Sequence, residues 1–250
     1  MKALITGATS GIGKSIAEKL SNRGWELILT GRNEDMLKAM QERLGKCEII
    51  SADLSQKSEV LKVYDFCKGK NVDMLVNNAG FGVFGRLSET DLDKELEMIN
   101  VNIRAVHILM KLFLRDFRKR DRGIILNVAS VAGFLTGPLM AAYYASKSYV
   151  IKLSHAAAEE LRREGSRVKI SVFCPGPVDT DFNDRAGVSF SMKPISADFA
   201  AEYAIKSALS GKLTAIPGVF TALGAFGARF LPNKLVAALV CEMQERKKGV

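Results

Sequence analysis

Short apolar runs alternate with stretches whose apolar residues recur at helical spacing, and this rhythm holds from the first residues to about Pro175. Lys2-Ala3-Leu4-Ile5-Thr6 predicts a buried strand, and Lys14 to Arg23 an amphipathic helix that Gly24 ends. The cycle repeats through strand Trp25 to Thr30, helix Asn33 to Leu44, strand Glu48 to Ala52, helix Lys57 to Lys68 and strand Val72 to Asn77. A long helical segment, Asp91 to Lys119, precedes strand Gly123 to Val128; helix Tyr143 to Arg163 and strand Lys169 to Phe173 come next.

Apolar strands of four to six residues, each followed by a helix, predict an α/β protein: a single doubly wound parallel β-sheet, Rossmann-like, with helices on both faces. Ligands are then expected at the carboxyl ends of the strands. Nothing reads as a linker or a second core, so 1–250 is expected to be one domain. Past Pro175 the rhythm loosens. Val178 to Ser196 is polar and dotted with Phe, and predicts a substrate flap reaching to about residue 200. Ala197 to Gly211 predicts a helix, Leu213 to Pro217 a last strand, and Val219 to Arg246 an apolar, helical tail. That tail is expected to pack in the core or between subunits, with a lid over a greasy substrate and a membrane-surface helix as the other readings.

Composition changes this picture little. Apolar residues at 48% and charged residues at 25% are ordinary for a soluble globular protein. The net charge of +9 would suit acidic partners, but its Lys and Arg residues are scattered, and Arg115 to Arg122 and Arg246-Lys247-Lys248 are only short clusters. No basic stripe alternates with aromatics, so no nucleic-acid partner is expected. Cys47, Cys67, Cys174 and Cys241 lie far apart without a Cys-x-x-Cys pair, which suits reduced thiols in a cytoplasmic protein. No His, Cys and carboxylate cluster has ligand spacing, so no metal is expected. Met1-Lys2 runs directly into the first strand, so no leader is expected. The uncharged run Leu213 to Ala228 is too short and too broken by Pro217 and glycines to span a membrane.

Two stretches carry chemistry. Between the first strand and helix, Gly7-Ala8-Thr9-Ser10-Gly11-Ile12-Gly13 makes a tight turn whose backbone amides, with the helix N-terminus, suit a pyrophosphate. Gly7, Thr9, Ser10, Gly11, Ile12 and Gly13 are the candidate contacts. Gly13-Lys14-Ser15 imitates the end of a triphosphate-binding loop, but that loop needs a glycine where this chain has Ala8, and Gly7 is one residue too early. At the end of the second strand, a position where an acidic residue would bind a ribose 2′-hydroxyl holds Gly31, followed by Arg32. A guanidinium there can pair with a 2′-phosphate, which favours NADP(H) over NAD(H).

The second stretch is Tyr143-Tyr144-Ala145-Ser146-Lys147. A phenol and an ammonium four residues apart share one helix face, and a neighbouring positive charge is expected to lower the pKa of Tyr143 from its ordinary value near ~10. With Thr6-Gly7-x-x-x-Gly11-Ile12-Gly13, Asn77-Asn78-Ala79-Gly80 and Tyr143-x-x-x-Lys147 in order, the chain resembles the short-chain dehydrogenase/reductase family from Lys2 through Thr180. The resemblance implies Ser130, Tyr143 and Lys147 as catalytic residues, and Asn102 as the holder of a proton-relay water. It implies cofactor contacts at Asp53 and Leu54, at Asn78, Ala79 and Gly80, and at Pro175, Gly176, Val178 and Thr180. Ala129 stands where many relatives carry a second serine, while the catalytic one is intact.

The expected activity is that of an NADPH-dependent reductase of a ketone or aldehyde, or the reverse alcohol dehydrogenase. Tyr143 is its general acid and Ser130 a second hydrogen-bond donor to the carbonyl oxygen. Phe182, Phe190, Met192 and Phe199 hint at an apolar or acyl-type substrate. The resemblance implies a dimer or tetramer built on Asp91 to Lys119 and Tyr143 to Arg163. A dinucleotide-binding regulator or scaffold without turnover is the rival, and an epimerase or dehydratase a third reading. His107 and His155 lie in apolar helical runs and read as packed or interfacial.

Overall fold

The computed structural model describes residues 1–180 and 194–245. Phe182, Phe190 and Met192, and with them most of the expected flap, lie outside the described residues, as do Arg246-Lys247-Lys248.

Seven parallel strands form the central sheet: β1 Lys2–Thr6, β2 Glu26–Gly31, β3 Cys47–Ser51, β4 Met74–Asn77, β5 Ile124–Val128, β6 Lys169–Phe173 and, beyond a short separate pair β7 Val178–Asp179 and β8 Ile195–Ser196, β9 Thr214–Ala215. Their order is β3-β2-β1-β4-β5-β6-β9. The chain therefore winds outward from β1 in one direction, returns, and winds outward from β4 in the other. Adjacent helices leave the β1 and β4 ends on opposite faces, which opens a crevice there.

Each strand buries both faces, as a parallel sheet covered by helices must. Along β1, Ala3 and Ile5 point into one core layer and Leu4 into the other, in keeping with the two-residue period of a strand. The first layer closes under α1 Gly11–Asn22 and α7 Ala197–Ser210. Ala200, Ala201, Ala204 and Ala208 are all fully buried on α7, so the helix lies close against the sheet and α1. The opposite layer closes under α3 Lys57–Cys67, α5 Val106–Lys119 and α6 Ala141–Arg163, with Phe113 and Phe117 at its centre. Helix α2 Glu34–Leu44 completes the edge beside β3. Its Asn33 cap accepts from the Met36 amide at 2.9 Å.

Three expectations fail in instructive ways. The segment Asp91 to Lys119 is not one α-helix: α4 Leu92–Ile99 passes through a π-turn, Asn100–Ala105, before α5 begins. Asn102 sits in that turn, and its side chain is bonded across to the loop after β4, so the widened turn is set by a long-range contact that helical periodicity does not report. The tail, too, is divided: α8 Val219–Gly227, a 3-10 turn Ala228–Phe230, then α9 Asn233–Glu245. Pro232 accounts for the break, since it has no amide hydrogen to continue the ladder. At the other end, Gly11 and Gly13 already belong to α1, earlier than the predicted start at Lys14.

Three arginines of the basic cluster Arg115 to Arg122 are engaged in the fold. Arg120 bonds the Val72 carbonyl and lies over the Phe117 ring, Arg122 pairs with Asp73 at 2.9 Å, and Arg118 with Glu164 at 2.7 Å. Among the described residues no helix is long and apolar enough to cross a membrane.

One polar group is held at the centre of the sheet. Asn127 on β5, with no exposure, accepts from Asn77 Nδ2 at 2.8 Å and donates to Ser154 Oγ at 2.8 Å, tying β4, β5 and α6 together. Replacing it by alanine leaves the buried Asn77 amide without its partner, at a cost of about 1–3 kcal/mol, and takes from Ser154 one of two bonds, the other being its donation to Val150 O at 2.7 Å. Asn127→Ala is expected to lower the denaturation midpoint by an amount equivalent to ~2–4 kcal/mol; a loss below ~0.5 kcal/mol in urea unfolding would contradict this reading.

Candidate active site

The crevice between the β1 and β4 ends is fixed by side chains of those strands. Thr6 Oγ1 accepts from the Asn78 and Ala79 amides at 2.9 and 3.0 Å, and Asn78 Nδ2 donates back to the Thr6 and Gly7 carbonyls, each at 3.0 Å. Both amide hydrogens of Asn78 are thus used, and its part in the site is to brace the turn. Gly7 adopts φ +61° and Gly11 φ +51°, left-handed values that glycine reaches without penalty. Gly13 serves a different purpose from the one expected. It does not line the crevice, and a Cβ on it would meet the Gly7 carbonyl oxygen at 2.3 Å; it lets α1 close against the turn. Thr9, Ser10, Gly11 and Ile12 face the crevice, and Ser10 caps α1 without spending its hydroxyl on the helix. No acidic residue lies in the first turn of α1, so the partial positive charge of its N-terminus is uncompensated.

At the outer end of the crevice, Asp53 is oriented by Ser55, whose amide and hydroxyl each donate to it at 2.9 Å. Arg32 leaves the end of β2 and reaches across to α4, where Nη1 pairs with Glu97 Oε1 at 2.9 Å. Leu54, Asn78, Ala79 and Gly80 line the wall between.

The inner end gathers the remaining predicted residues. Ser130 comes directly after β5; its hydroxyl and that of Tyr143 on α6 are hydrogen-bonded to each other. The Ser130 oxygen accepts from the Ala132 amide at 3.1 Å and donates to Pro175 O at 3.4 Å, which fixes its direction. Lys147, one turn beyond Tyr143, donates to Val128 O at 3.1 Å and lies 5.7 Å from the Tyr143 ring centre. Asn102 donates to Phe81 O at 2.9 Å and Ser146 Oγ at 3.1 Å and accepts from the Phe81 amide at 3.1 Å. Its amide hydrogens are spent, so a water held by Asn102 must use its main-chain carbonyl or the remaining Oδ1 lone pair. Pro175, Gly176 and Val178 line the crevice beside Ser130, and Thr180 rests its methyl over Gly11.

The electrostatics differ from the sequence expectation. Burial pushes the Tyr143 hydroxyl well above the ordinary phenol range, and only the bond from Ser130 opposes it. Lys147 does not bring it down. The ammonium is itself stripped of water and aimed at a carbonyl, and burial lowers its pKa to about 8. Helical spacing correctly places the two groups together, but desolvation of both outweighs their mutual effect.

Around this polar floor the crevice is apolar and has a volume of about 1610 Å³, more than the ~300–1,000 Å³ of a site for one small ligand. There is room for a dinucleotide and a second molecule. Phe81, Val83, Phe84, Leu135 and Met140 form one wall, and α8 and α9 the other. Gln244, 1% exposed, donates to Tyr144 Oη at 2.8 Å and fastens α9 to the site. None of these wall residues was legible as such; the apolar character of 219–246 was the available signal. Phe199 stands outside this site: it is half exposed on α7, against Tyr203. His107 bonds Tyr149 at 2.7 Å and His155 bonds Thr214 at 2.8 Å, neither of them lining the crevice. Among the described residues no group of His, Cys, Asp and Glu is placed to hold a metal ion.

A doubly wound sheet with a glycine turn at its switch point and a Ser–Tyr–Lys floor defines a dinucleotide-dependent oxidoreductase, and comparison with known proteins agrees. The family model described as short chain dehydrogenase matches residues 1–188, and the chain belongs to the short-chain dehydrogenase/reductase family, whose members act on CH–OH groups. It is 33% identical to an uncharacterised oxidoreductase of Staphylococcus saprophyticus, over 82% of this chain and 90% of that protein. It is also 33% identical to a 3β-hydroxysteroid dehydrogenase of Mediterraneibacter gnavus, over 84% of this chain and 79% of that one. A short-chain dehydrogenase of Sphingobium yanoikuyae solved with NADPH superposes with a TM-score of 0.83 at 28% identity, covering 92% of this chain and 93% of that one. A Burkholderia phymatum relative solved with NAD gives 0.80 at 26%, covering 91% of each.

The Lys147 pKa makes a prediction about the cofactor-free protein. Its folded value, about 8, lies below the ordinary 10.5, so between these pH values the unfolded chain holds the extra proton and folding gains stability as pH rises. Relative to Lys147→Met, the wild-type protein is expected to gain about 1–3 kcal/mol between pH 7.5 and 10. Parallel urea unfolding curves for the two proteins across that range would show no relative gain if the ammonium were not desolvated.

Proposed function

We propose that the chain is an NADP(H)-dependent reductase of ketones or aldehydes, acting on a bulky apolar substrate, with Tyr143 as its general acid. The observation that carries this is the hydrogen-bonded Ser130–Tyr143 pair beside buried Lys147, at the floor of an apolar crevice large enough for two ligands. Binding alone does not call for that pair, which weighs against a scaffold without turnover.

The residues present fit a dinucleotide. The free N-terminus of α1 and the amides of the turn suit its pyrophosphate, Asp53 and Leu54 the adenine end, and Lys147 with Pro175 to Val178 the nicotinamide end. When bound, it supplies the hydride that the protein cannot. The protein's own share is to orient the carbonyl and answer the charge that develops on its oxygen. Ser130, its oxygen held by the Ala132 amide and its proton turned from Pro175 O to the substrate, and Tyr143 donate to that oxygen. The elevated pKa of Tyr143 keeps its proton in place at neutral pH, the form a general acid needs. An alkoxide is more basic than a phenolate even in this setting, so transfer from Tyr143 still runs downhill. Lys147 then faces a newly formed phenolate and becomes its counter-charge. The proton relay to solvent is assigned to a water at Asn102, in the π-turn Asn100–Ala105.

NADP(H) is assigned through Arg32, the cation at the end of β2 with no acidic residue in the ribose position. The apolar walls suit a steroid-like or acyl-type ketone, and the name of the M. gnavus relative points to the first of these. Self-association is assigned to the outer faces of α5 and α6, where His107 and Tyr149 pair.

Tyr143→Phe is expected to lower kcat at least ~10³-fold on any ketone the wild-type protein reduces, with NADPH affinity within about twofold. Turnover within tenfold of wild type would remove Tyr143 as the acid. Arg32→Asp is expected to weaken NADPH by roughly tenfold or more and to favour NADH, as titrations of cofactor fluorescence would register. Unaltered NADPH affinity in that variant would overturn the cofactor assignment.

A further inference from the structure

The cation assigned to the 2′-phosphate is already engaged. Arg32 Nη1 lies 2.9 Å from Glu97 Oε1, and both residues line the crevice, one from the end of β2 and the other from α4. The bond therefore bridges the outer end of the crevice between two elements 65 residues apart in sequence. Arg32 is 65% exposed and Glu97 35%, so the pair is held in water and can exchange partners. On the same face of α4, one turn earlier, Lys94 also lines the crevice, and its ammonium has no ion-pair partner among the described residues.

We propose that Glu97 is a specificity-determining residue that competes with the cofactor's 2′-phosphate for Arg32, and that Lys94 is a second cation of that phosphate subsite. This rests on the NADP(H) reading above. A 2′-phosphate carries nearly two negative charges and three acceptor oxygens, against one charge on the carboxylate, so it can take Arg32 from Glu97. The exchange leaves the carboxylate beside a more highly charged anion, which opposes binding, and Lys94 offsets part of that repulsion. A cofactor with a plain 2′-hydroxyl has no charge with which to displace Glu97 and is indifferent to it. Glu97 thus holds down NADPH affinity without touching NADH affinity, and narrows the preference that Arg32 alone would give.

Dissociation constants of the full-length protein for NADPH and NADH, measured by titration calorimetry, test this without reference to turnover. Glu97→Gln is expected to tighten NADPH roughly three- to tenfold while NADH stays within about twofold, and Glu97→Asp to return NADPH towards the wild-type value. Lys94→Ala is expected to weaken NADPH severalfold with NADH again unchanged, and equal affinity for NADPH in that variant removes Lys94 from the subsite. Tightening of both cofactors alike by Glu97→Gln would mean that Glu97 shapes the crevice rather than competing for Arg32, and would overturn the proposal. So would unchanged NADPH affinity in Glu97→Gln where Arg32→Asp still weakens NADPH; that result leaves the NADP(H) reading standing. If Arg32→Asp itself has no effect on NADPH, the reading and the competition proposed on it both fall.

Discussion

Everything in the site hangs on the way two diverging strand ends are tied. At the β1–β4 switch point the backbone turns away on both sides, and without cross-ties the crevice would have no fixed width. Thr6 and Asn78 supply them: five hydrogen bonds, counting the donation from Thr6 Oγ1 to Val76 O at 3.3 Å, that one buried and the other four part-buried at the crevice. Because these bonds use the carbonyls and amides next to the glycine turn, they set where the turn's remaining amides point. Gly13 closes the arrangement, allowing α1 to sit so near that the positive end of its dipole falls at the rim. The anion site is thus a by-product of satisfying the strand ends.

The inner end obeys the opposite rule. There the structure withdraws ionisable groups from water and gives them neutral partners, Ser130 for Tyr143 and the Val128 carbonyl for Lys147. Burial raises the pKa of Tyr143, which favours its protonated form, and brings that of Lys147 down to about 8. If the phenol gives up its proton as proposed, the result is a phenolate beside an ammonium, a pair that low local polarity favours strongly once both charges exist. The resting site resists ionisation and the reacting site invites it. A pair already ionised at rest would have less to gain from the reaction.

Much of this was legible in the chain because it is local. Strand and helix order come from periodicity, the turn from its glycines, and the proximity of Tyr143 and Lys147 from a four-residue interval. What spacing does not carry is solvation, and that is why the expected lowering of the Tyr143 pKa was wrong in sign: the interval fixes a distance, whereas burial by the wall residues fixes the energy. Long-range partners were equally hidden. The engagement of Arg32 by Glu97 joins residues 65 apart, and the π-turn at Asn102 answers to Phe81, 21 positions away. Gly13 was read as a ligand contact because sequence shows that a side chain is excluded there, but not which neighbour excludes it.

The two ends of the molecule also divide the work of recognition. The strand ends, braced by Thr6, Asn78 and Asn127, are rigid, and the cofactor side of the crevice inherits that rigidity. One wall of the other side is built by α8 and α9, which bring the exposed side chains of Phe220, Leu239 and Met243 to the crevice and leave Leu223, Phe226 and Leu235 exposed outside it. Such a wall buries few of its own apolar groups; on α8 only Ala225 is buried. Its position therefore depends on point attachments, of which the Gln244–Tyr144 bond is the one beside the reacting groups. A bulky apolar ligand that filled the crevice would supply the burial the wall lacks, at about 25 cal/mol for each Å² covered. In such an arrangement the substrate completes the hydrophobic contact of α8 and α9. For the ketone proposed above, specificity would then depend on how much of the Phe220, Leu239 and Met243 surface it covers while its oxygen still reaches Ser130 and Tyr143.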